Sequence, residues 1–417
     1  MSADDASDKG PQPLQHAGVK LIAIASGGFF LLLVAIALVP TVLSVDYMFT
    51  MGAVLLALPV ISLLIGVLWA RGLSVNRSDL GHMTEDEVRR VEIAVGQRFP
   101  ADLVVEFADA LPRWLECEPR MPVSALVPRG SYPFSYNVRA IRRGVYTVGP
   151  LRIRVCDPLG LGGVTVRSDQ KSSLVVYPKP LPVESWSLMA GSASMGMLGR
   201  ILGRPSPGAS AEFYGARKYY PGDDLRRVHW RSAARARELI VKEFRDEVEA
   251  SEVIIAIDAQ SGYEIGEGPD SSLDYAARAA AYISERAVEV GGRVSLLSGH
   301  EPGRIAARAE SVSELWMVME YLAGVQADAG SSLCEILAAA APHMRTSSAL
   351  VLIGSRTDEP LRAIVQRLQA QDVAIAQIYV DPESFGPRPY THVVEPTPDW
   401  LLGLSVPCWV IKRGAGK

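Results

Sequence analysis

The residue types that chemistry could use are concentrated in YYPGDDLRRVHWRSAARAR, residues 219–237. Asp223 and Asp224 are adjacent carboxylates, His229 follows, and Arg227, Arg231 and Arg235 recur at i, i+4 and i+8. Paired acids beside a histidine suit acid/base or metal-assisted hydrolysis, and an arginine row along one helix face suits an anionic partner. A second place is the end of an apolar run, VIIAID, where Asp258 is followed by Ala259, Gln260, Ser261 and Gly262.

Local physics accounts for much of the first segment without catalysis. Pro221-Gly222 sets a turn, and Asp223 or Asp224 can cap the first free N–H groups of a helix at its positive end. The spacing predicts a helix over 224–235, with Leu225, Val228 and Ser232 on one face and Trp230 on another. His229 and Asp223 fall nearly opposite in angle on that turn and helix, which argues against an acid/base pair. Like charges at i and i+4 cost about 0.2–0.5 kcal/mol per pair on an isolated helix, so the arginine stripe calls for acidic company. Glu243, Asp246, Glu247 and Glu249 can supply it from within the chain, and an acidic protein partner is the alternative. Nucleic acid is disfavoured by a formal net charge of −4.

These residues are embedded in a chain of 417 residues with 48% hydrophobic content, enough for two or three domains plus apolar mass for lipid. Two apolar runs without an internal charge, KLIAIASGGFFLLLVAIALV (19–39 with its flank, Lys20 standing at its start) and MGAVLLALPVISLLIGVLWA (51–70), have the length of membrane spans. The loop 40–50 lacks Lys and Arg, whereas Lys9 and Lys20 precede the first run and Arg71, Arg77, Arg89 and Arg90 follow the second. Basic residues stay inside, so a two-span hairpin in a cell membrane is expected, with residues 1–18 as a disordered cytoplasmic tail and both termini cytoplasmic. Cys117, Cys156, Cys334 and Cys408 are scattered and suggest neither a disulfide framework nor a zinc site.

Residues 71–180 alternate with period two between Pro and Gly breaks, the pattern of a small, Ig-like all-β sandwich. Residues 181–211, rich in Gly, Ser, Pro and Met, read as a flexible linker, and 212–250 hold the charged segment, with LIVKEF (239–244) as a strand entering the second sheet. From 251 to 417 apolar strands alternate with amphipathic helices, so a mostly parallel sheet covered on both faces is expected. Its strand ends carry Asp258, Ser298, Ser355 with Asp358, and Asp381, where ligands of such sheets bind.

At this point the chain resembles the domain-of-unknown-function family 58 (DUF58). Tyr219, Pro221, Gly222, Asp223, Asp224, Arg226, Val228, Trp230, Ala234 and Arg235 match its signature, and RRGVYTVGPLRIRVCDPLGL lies upstream. His229 stands where many relatives show Asp or Asn. The region after Val253 resembles a von Willebrand factor A-like domain, whose Asp-x-Ser-x-Ser loop can hold a divalent cation. Here the Asp is Asp258, but Gln260 and Gly262 take the serine positions, leaving Asp258 with Ser261, Ser355 and Asp358 as the candidate ligands. A hard cation needs several oxygens, so a bound metal is disfavoured and no other cofactor is implied. The resemblance further implies a partner, a MoxR-type AAA+ ATPase, and a non-enzymatic protein-interaction or assembly role. The rival expectation is a metal-dependent hydrolase or nuclease using Asp223, Asp224, His229 and Asp258. No Walker loop, GxSxG, HExxH or GxGxxG appears in a fitting context.

Overall fold

The computed structural model describes residues 46–157, 163–168, 170–190, 213–218, 240–244, 252–344, 348–386 and 406–415. The chain divides into two compact units, up to Lys179 and from Pro180.

The first unit opens with α1 (Asp46–Arg71), which begins inside the stretch expected to be an external loop, because nothing from Asp46 to Met51 breaks a helix. Its Thr50–Arg71 portion is long and apolar enough to cross a membrane or to be a signal sequence. The other expected span, Lys20–Val39, lies outside the described residues. Ser62, Gly66 and Ala70, one turn apart, are buried, and Ser62 Oγ donates to the buried Asp157 carboxylate. The outer face of the same turns, including Val54, Leu58, Ile61, Leu64 and Leu68, is exposed apolar surface.

Eleven strands follow: β1 (Ser74–Arg77), β2 (His82–Thr84), β3 (Val88–Gln97), β4 (Leu103–Asp109), β5 (Leu115–Glu118), β6 (Val123–Val127), β7 (Gly130–Ala140), β8 (Gly144–Val148), β9 (Leu151–Cys156), β10 (Gly163–Arg167) and β11 (Ser172–Tyr177). They form sheets ordered β1-β3-β7-β5, β10-β9-β4-β6 and β2-β11-β8. Alternation buries Val91, Ile93 and Val95 of β3 against Val105, Phe107, Ile153 and Val155 of the second sheet, with Phe107 stacked on Phe134 at 4.4 Å. This is the expected sandwich. The small residues of α1 let the helix lie along β10, an edge strand, where Gly66 has Val164 as its neighbour. A covered edge cannot pair with another chain.

One polar cluster ties the three sheets together. Arg77 of β1 pairs with Asp109 at the end of β4, and the Tyr136 hydroxyl of β7 donates to the same carboxylate oxygen. A second Arg77 N–H reaches the Val148 carbonyl of β8 at 3.1 Å. Burial, then the Asp109 charge, drives the Tyr136 phenol far above its usual range.

The second unit starts earlier than its sequence suggests. Leu181, Val183 and Trp186 are buried, and β12 (Ser187–Ala190) pairs antiparallel with β20 (Cys408–Ile411). Residues 181–190 are therefore not linker, since Leu181, Val183 and Trp186 have a core to join and Ser187–Ala190 a strand to pair with; residues 191–211 lie outside the described residues. Next, β13 (Phe213–Lys218) and β14 (Ile240–Phe244) pair antiparallel in a two-stranded ribbon of their own. The Ile240–Phe244 part of LIVKEF does make a strand, but among the described residues its partner is β13 and not the large sheet, because strand pairing is settled by partners that local pattern does not reveal.

The large sheet has the order β12-β20-β19-β18-β15-β16-β17, built from β15 (Glu252–Ile257), β16 (Arg293–Leu297), β17 (Ile305–Ala309), β18 (Ala349–Gly354) and β19 (Ala374–Val380) with β12 and β20. The five inner strands are parallel, and β12 and β17 are antiparallel edges. Four helices cross between strands: α2 (Ser272–Glu289), α3 (Leu315–Gly324), α4 (Leu333–Ala340) and α5 (Glu359–Gln369). Ser271 caps α2 by accepting from Asp274 N, and Ser332 with Glu335 forms a full capping box on α4. Alanines at 276, 277, 279, 280 and 281 are buried, and small side chains allow α2 to sit close to the strands.

Removing one partner of a buried ion pair leaves a charge without compensation, at about 3–5 kcal/mol. Asp109→Ala is accordingly expected to destabilise the first unit by that amount and Tyr136→Phe by about 1 kcal/mol. Hydrogen exchange of β3 and β9 amides measures both, and equal losses would remove Arg77 from the explanation.

Candidate functional site

Parallel strands deliver their carboxyl ends to one edge of the sheet, and a crevice opens where strand order reverses. That reversal lies between β15 and β18, the first strand and the one that follows on its other side. Asp258 directly continues β15, its N–H donating to Ile353 O at 2.9 Å. A Cβ on Gly354, at the end of β18, would stand 2.7 Å from the Asp258 Cβ, so only glycine fits there. The resulting small cleft is lined by Asp258, Tyr263, Glu264, Ser272, Leu273, Ala276, Ala327, Gly354, Ser355 and Val380.

The five expected strand-end acceptors are not equivalent. Ser298 Oγ is spent on the N–H groups of His300 and Glu301, and Asp381 Oδ1 on the Glu383 N–H. Among the described residues, Asp258 Oδ1 accepts only from Gln260 N at 3.4 Å, and its Oδ2 is buried without a hydrogen-bond partner. Burial raises the Asp258 carboxyl to about 6, against the pull of nearby Arg356 and the Gln260 N–H, with Asp358 adding to the rise.

The loop after β15 is stitched in place by the backbone. Ser261 N donates to Ala329 O at 2.9 Å, Ala329 N to Ala259 O at 3.1 Å, and Gly262 adopts a φ of +88° that a side chain would oppose. Across the cleft, Arg356 donates through Nη1 to Gln260 Oε1 and through Nη2 to the Tyr263 hydroxyl at 3.2 Å. Its guanidinium lies 4.3 Å from the Tyr263 ring centroid and 3.2 Å from Asp358 Oδ2. The Arg356 carbonyl is held by Gln377 Nε2 at 3.3 Å.

Of the expected metal ligands, Asp258 and Ser355 line the cleft, Asp358 is turned toward Arg356, and Ser261 is exposed. Among the described residues no group of three or more His, Cys, Asp or Glu is placed to hold a metal ion. Sequence reading missed Arg356, Tyr263 and Gly354. A glycine ending an apolar strand opposite an aspartate is a readable sign of close approach; nothing local marks Arg356.

The signature residues Tyr219, Pro221, Gly222, Asp223, Asp224, Arg226, Arg227, His229, Trp230, Arg231, Ala234 and Arg235 lie outside the described residues. The flanking strands are described, and Lys218 pairs with Ile240, so the ribbon brings both ends of the signature together.

A family model now bears on this region. The model described as "Protein of unknown function DUF58" matches residues 215–384. That match supports the DUF58 family and covers the ribbon, the signature and the Asp258 cleft. No curated protein matches the chain. Among solved structures, the chain is similar to the PapD-like domain 7 of human CEP192 (TM-score 0.19, 13% identity, 24% of this chain and 84% of that one). It is also similar to a non-cellulosomal cohesin of the archaeon Archaeoglobus fulgidus (TM-score 0.20, 12% identity, 25% and 90%). A third is Escherichia coli alpha-2-macroglobulin from domain MG7 to the C-terminus (TM-score 0.22, 13% identity, 31% and 25%). Likenesses of this size carry no argument about activity.

Two outcomes follow for the cleft. Gly354→Ala forces the strands apart at Asp258 and is expected to cost about 1–3 kcal/mol, read as a lower apparent Tm. A carboxyl whose folded pKa is raised holds its proton more tightly when folded, so ionisation subtracts stability as pH climbs from 3.8 to about 6. The full cost, about 3 kcal/mol, applies above that window. Asp258→Asn should therefore melt above wild type at neutral pH and converge with it near pH 4; a gap that widened on acidification would contradict this.

Proposed function

We propose that the chain is a membrane-anchored, non-enzymatic interaction or assembly factor that works with a MoxR-type AAA+ ATPase. In this reading Lys20–Val39 and α1 are two spans, both termini are cytoplasmic, and the sandwich and a von Willebrand A-like unit are presented to cytoplasmic partners. The observation that carries it is the cleft itself. Arg356 spends its donors on Gln260, Tyr263 and Asp358, and Asp258 has neither a nucleophile nor an imidazole among its hydrogen-bond partners. Burial pushes the Cys334 thiol up to about 11 and the Cys408 thiol up to about 12, so neither is a thiolate nucleophile at neutral pH. The apolar α1 segment supports anchoring, and the DUF58 match supports the family background on which the ATPase partner is proposed. The hydrolase alternative would use Asp223, Asp224, His229 and Asp258, of which Asp258 lies among the described residues.

Arg227, Arg231 and Arg235 are the proposed contact to an acidic partner surface. Crosslinking in intact membranes with ATP and magnesium, followed by affinity purification, is expected to recover an AAA+ ATPase. Replacing the three arginines by glutamate should reduce that recovery about tenfold, equivalent to ~1.4 kcal/mol. Recovery that never includes such an ATPase sinks the partner assignment, and full recovery with the triple variant removes the stripe from it.

A further inference from the structure

The loop after β15 resembles one that holds a divalent cation, but its surroundings are built for something else. Such a cation is ligated by several oxygens in a confined geometry. Gln260 Oε1, at the first serine position, accepts from Arg356, and Gly262, at the second, brings no oxygen and holds a left-handed backbone. Asp358 Oδ2, from the later loop, is paired with the same guanidinium at 3.2 Å. Asp258 Oδ2 and Asp358 Oδ1 are buried oxygens without hydrogen bonds, and the cleft beside Asp258 has room for about one water. Two carboxylate oxygens, the Ser355 hydroxyl that lines the cleft and one water still fall short of the roughly six or more oxygens of a divalent coordination shell, and a second positive charge there would be repelled by the guanidinium.

We propose that Arg356 is the built-in cation of this site, joining the loop after β15 to the loop after β18 and closing the Asp258 cleft to magnesium, manganese and calcium. The two loops it joins are the two a divalent ion would join. Its side chain is only 12% exposed, and three separate groups, Gln260, Tyr263 and Asp358, fix it in place. A guanidinium stays charged at every physiological pH and cannot dissociate as an ion would. The site is thereby kept in one state whatever the metal supply. This inference does not rest on the interaction role proposed above.

The test uses the full chain in detergent micelles, stripped with EDTA and titrated with Mn2+, while electron paramagnetic resonance reads free Mn2+. Wild type and Asp258→Asn are expected to leave the same free signal; uptake by wild type that Asp258→Asn relieves overturns the proposal. Arg356→Lys keeps a cation and should behave as wild type, so Asp258-dependent uptake by this variant also overturns it. Arg356→Met removes the charge and exposes two carboxylates to each other. It is expected to take up one Mn2+ in the about 0.1–1 mM range of weakly built oxygen sites, and to lose it with Asp258→Asn. A folded Arg356→Met that binds none shows that the arginine is not what closes the site. Should that variant fail to fold, wild type and Arg356→Lys still decide.

Discussion

The second unit depends on how closely β15 and β18 approach at their carboxyl ends. The ladder between them continues past the last residue of β15, with Asp258 N bonded to Ile353 O, and this holds the Asp258 side chain against Gly354. From that constraint the rest of the cleft follows. A carboxylate fixed at a buried sheet edge cannot turn outward to water, the loop after it must reverse at once, and Gly262 supplies the left-handed turn. The reversal brings Gln260 and Tyr263 within reach of Arg356, which β18 delivers from the other side.

The two units treat a buried aspartate differently. In the sandwich, Asp109 has two direct donors, Arg77 and Tyr136, and the three groups lock strands from different sheets. In the α/β unit, Asp258 faces its arginine without a direct hydrogen bond and keeps one oxygen unspent. The first arrangement suits a scaffold, because the Asp109 charge meets its arginine directly, although Asp109 Oδ1, like Asp258 Oδ2, has no hydrogen-bond partner among the described residues. The second leaves residual acceptor capacity at the edge where sheets of this kind bind ligands, at a cost in stability that the surrounding strands absorb.

Much of this architecture was legible in the sequence because buried parallel strands announce themselves as short apolar runs. VIIAID, SALVLIGS and VAIAQIYVD are strands as expected, and the intervening amphipathic segments are helices. The elements that escaped are the antiparallel edges. IAARA of β17 has little β-branched character, and SLMA of β12 sits in a Gly- and Ser-rich context, so both owe their strand form to β16 and β20 rather than to local preference. LIVKEF was legible as a strand but not as the partner of Phe213–Lys218. In the cleft, Asp258 could be found from its place after the first strand, whereas Arg356 reaches Gln260 and Tyr263 only through the fold, with more than ninety positions between them.

The helix α1 shows the same limit in a different form. Hydropathy marks Thr50–Arg71 as uniformly apolar, yet the helix has two faces with different neighbours. Ser62, Gly66 and Ala70 are buried, and the Ser62 hydroxyl satisfies an Asp157 carboxylate that would be very costly in hydrocarbon. On the membrane reading, the sandwich must therefore meet the helix outside the lipid, and the turns from Ser62 onward serve as a dock. The part before it, residues 46–61, spans about 24 Å at 1.5 Å per residue, short of the roughly 30 Å hydrocarbon core. On that reading the shortfall is met by local thinning of the bilayer around the helix.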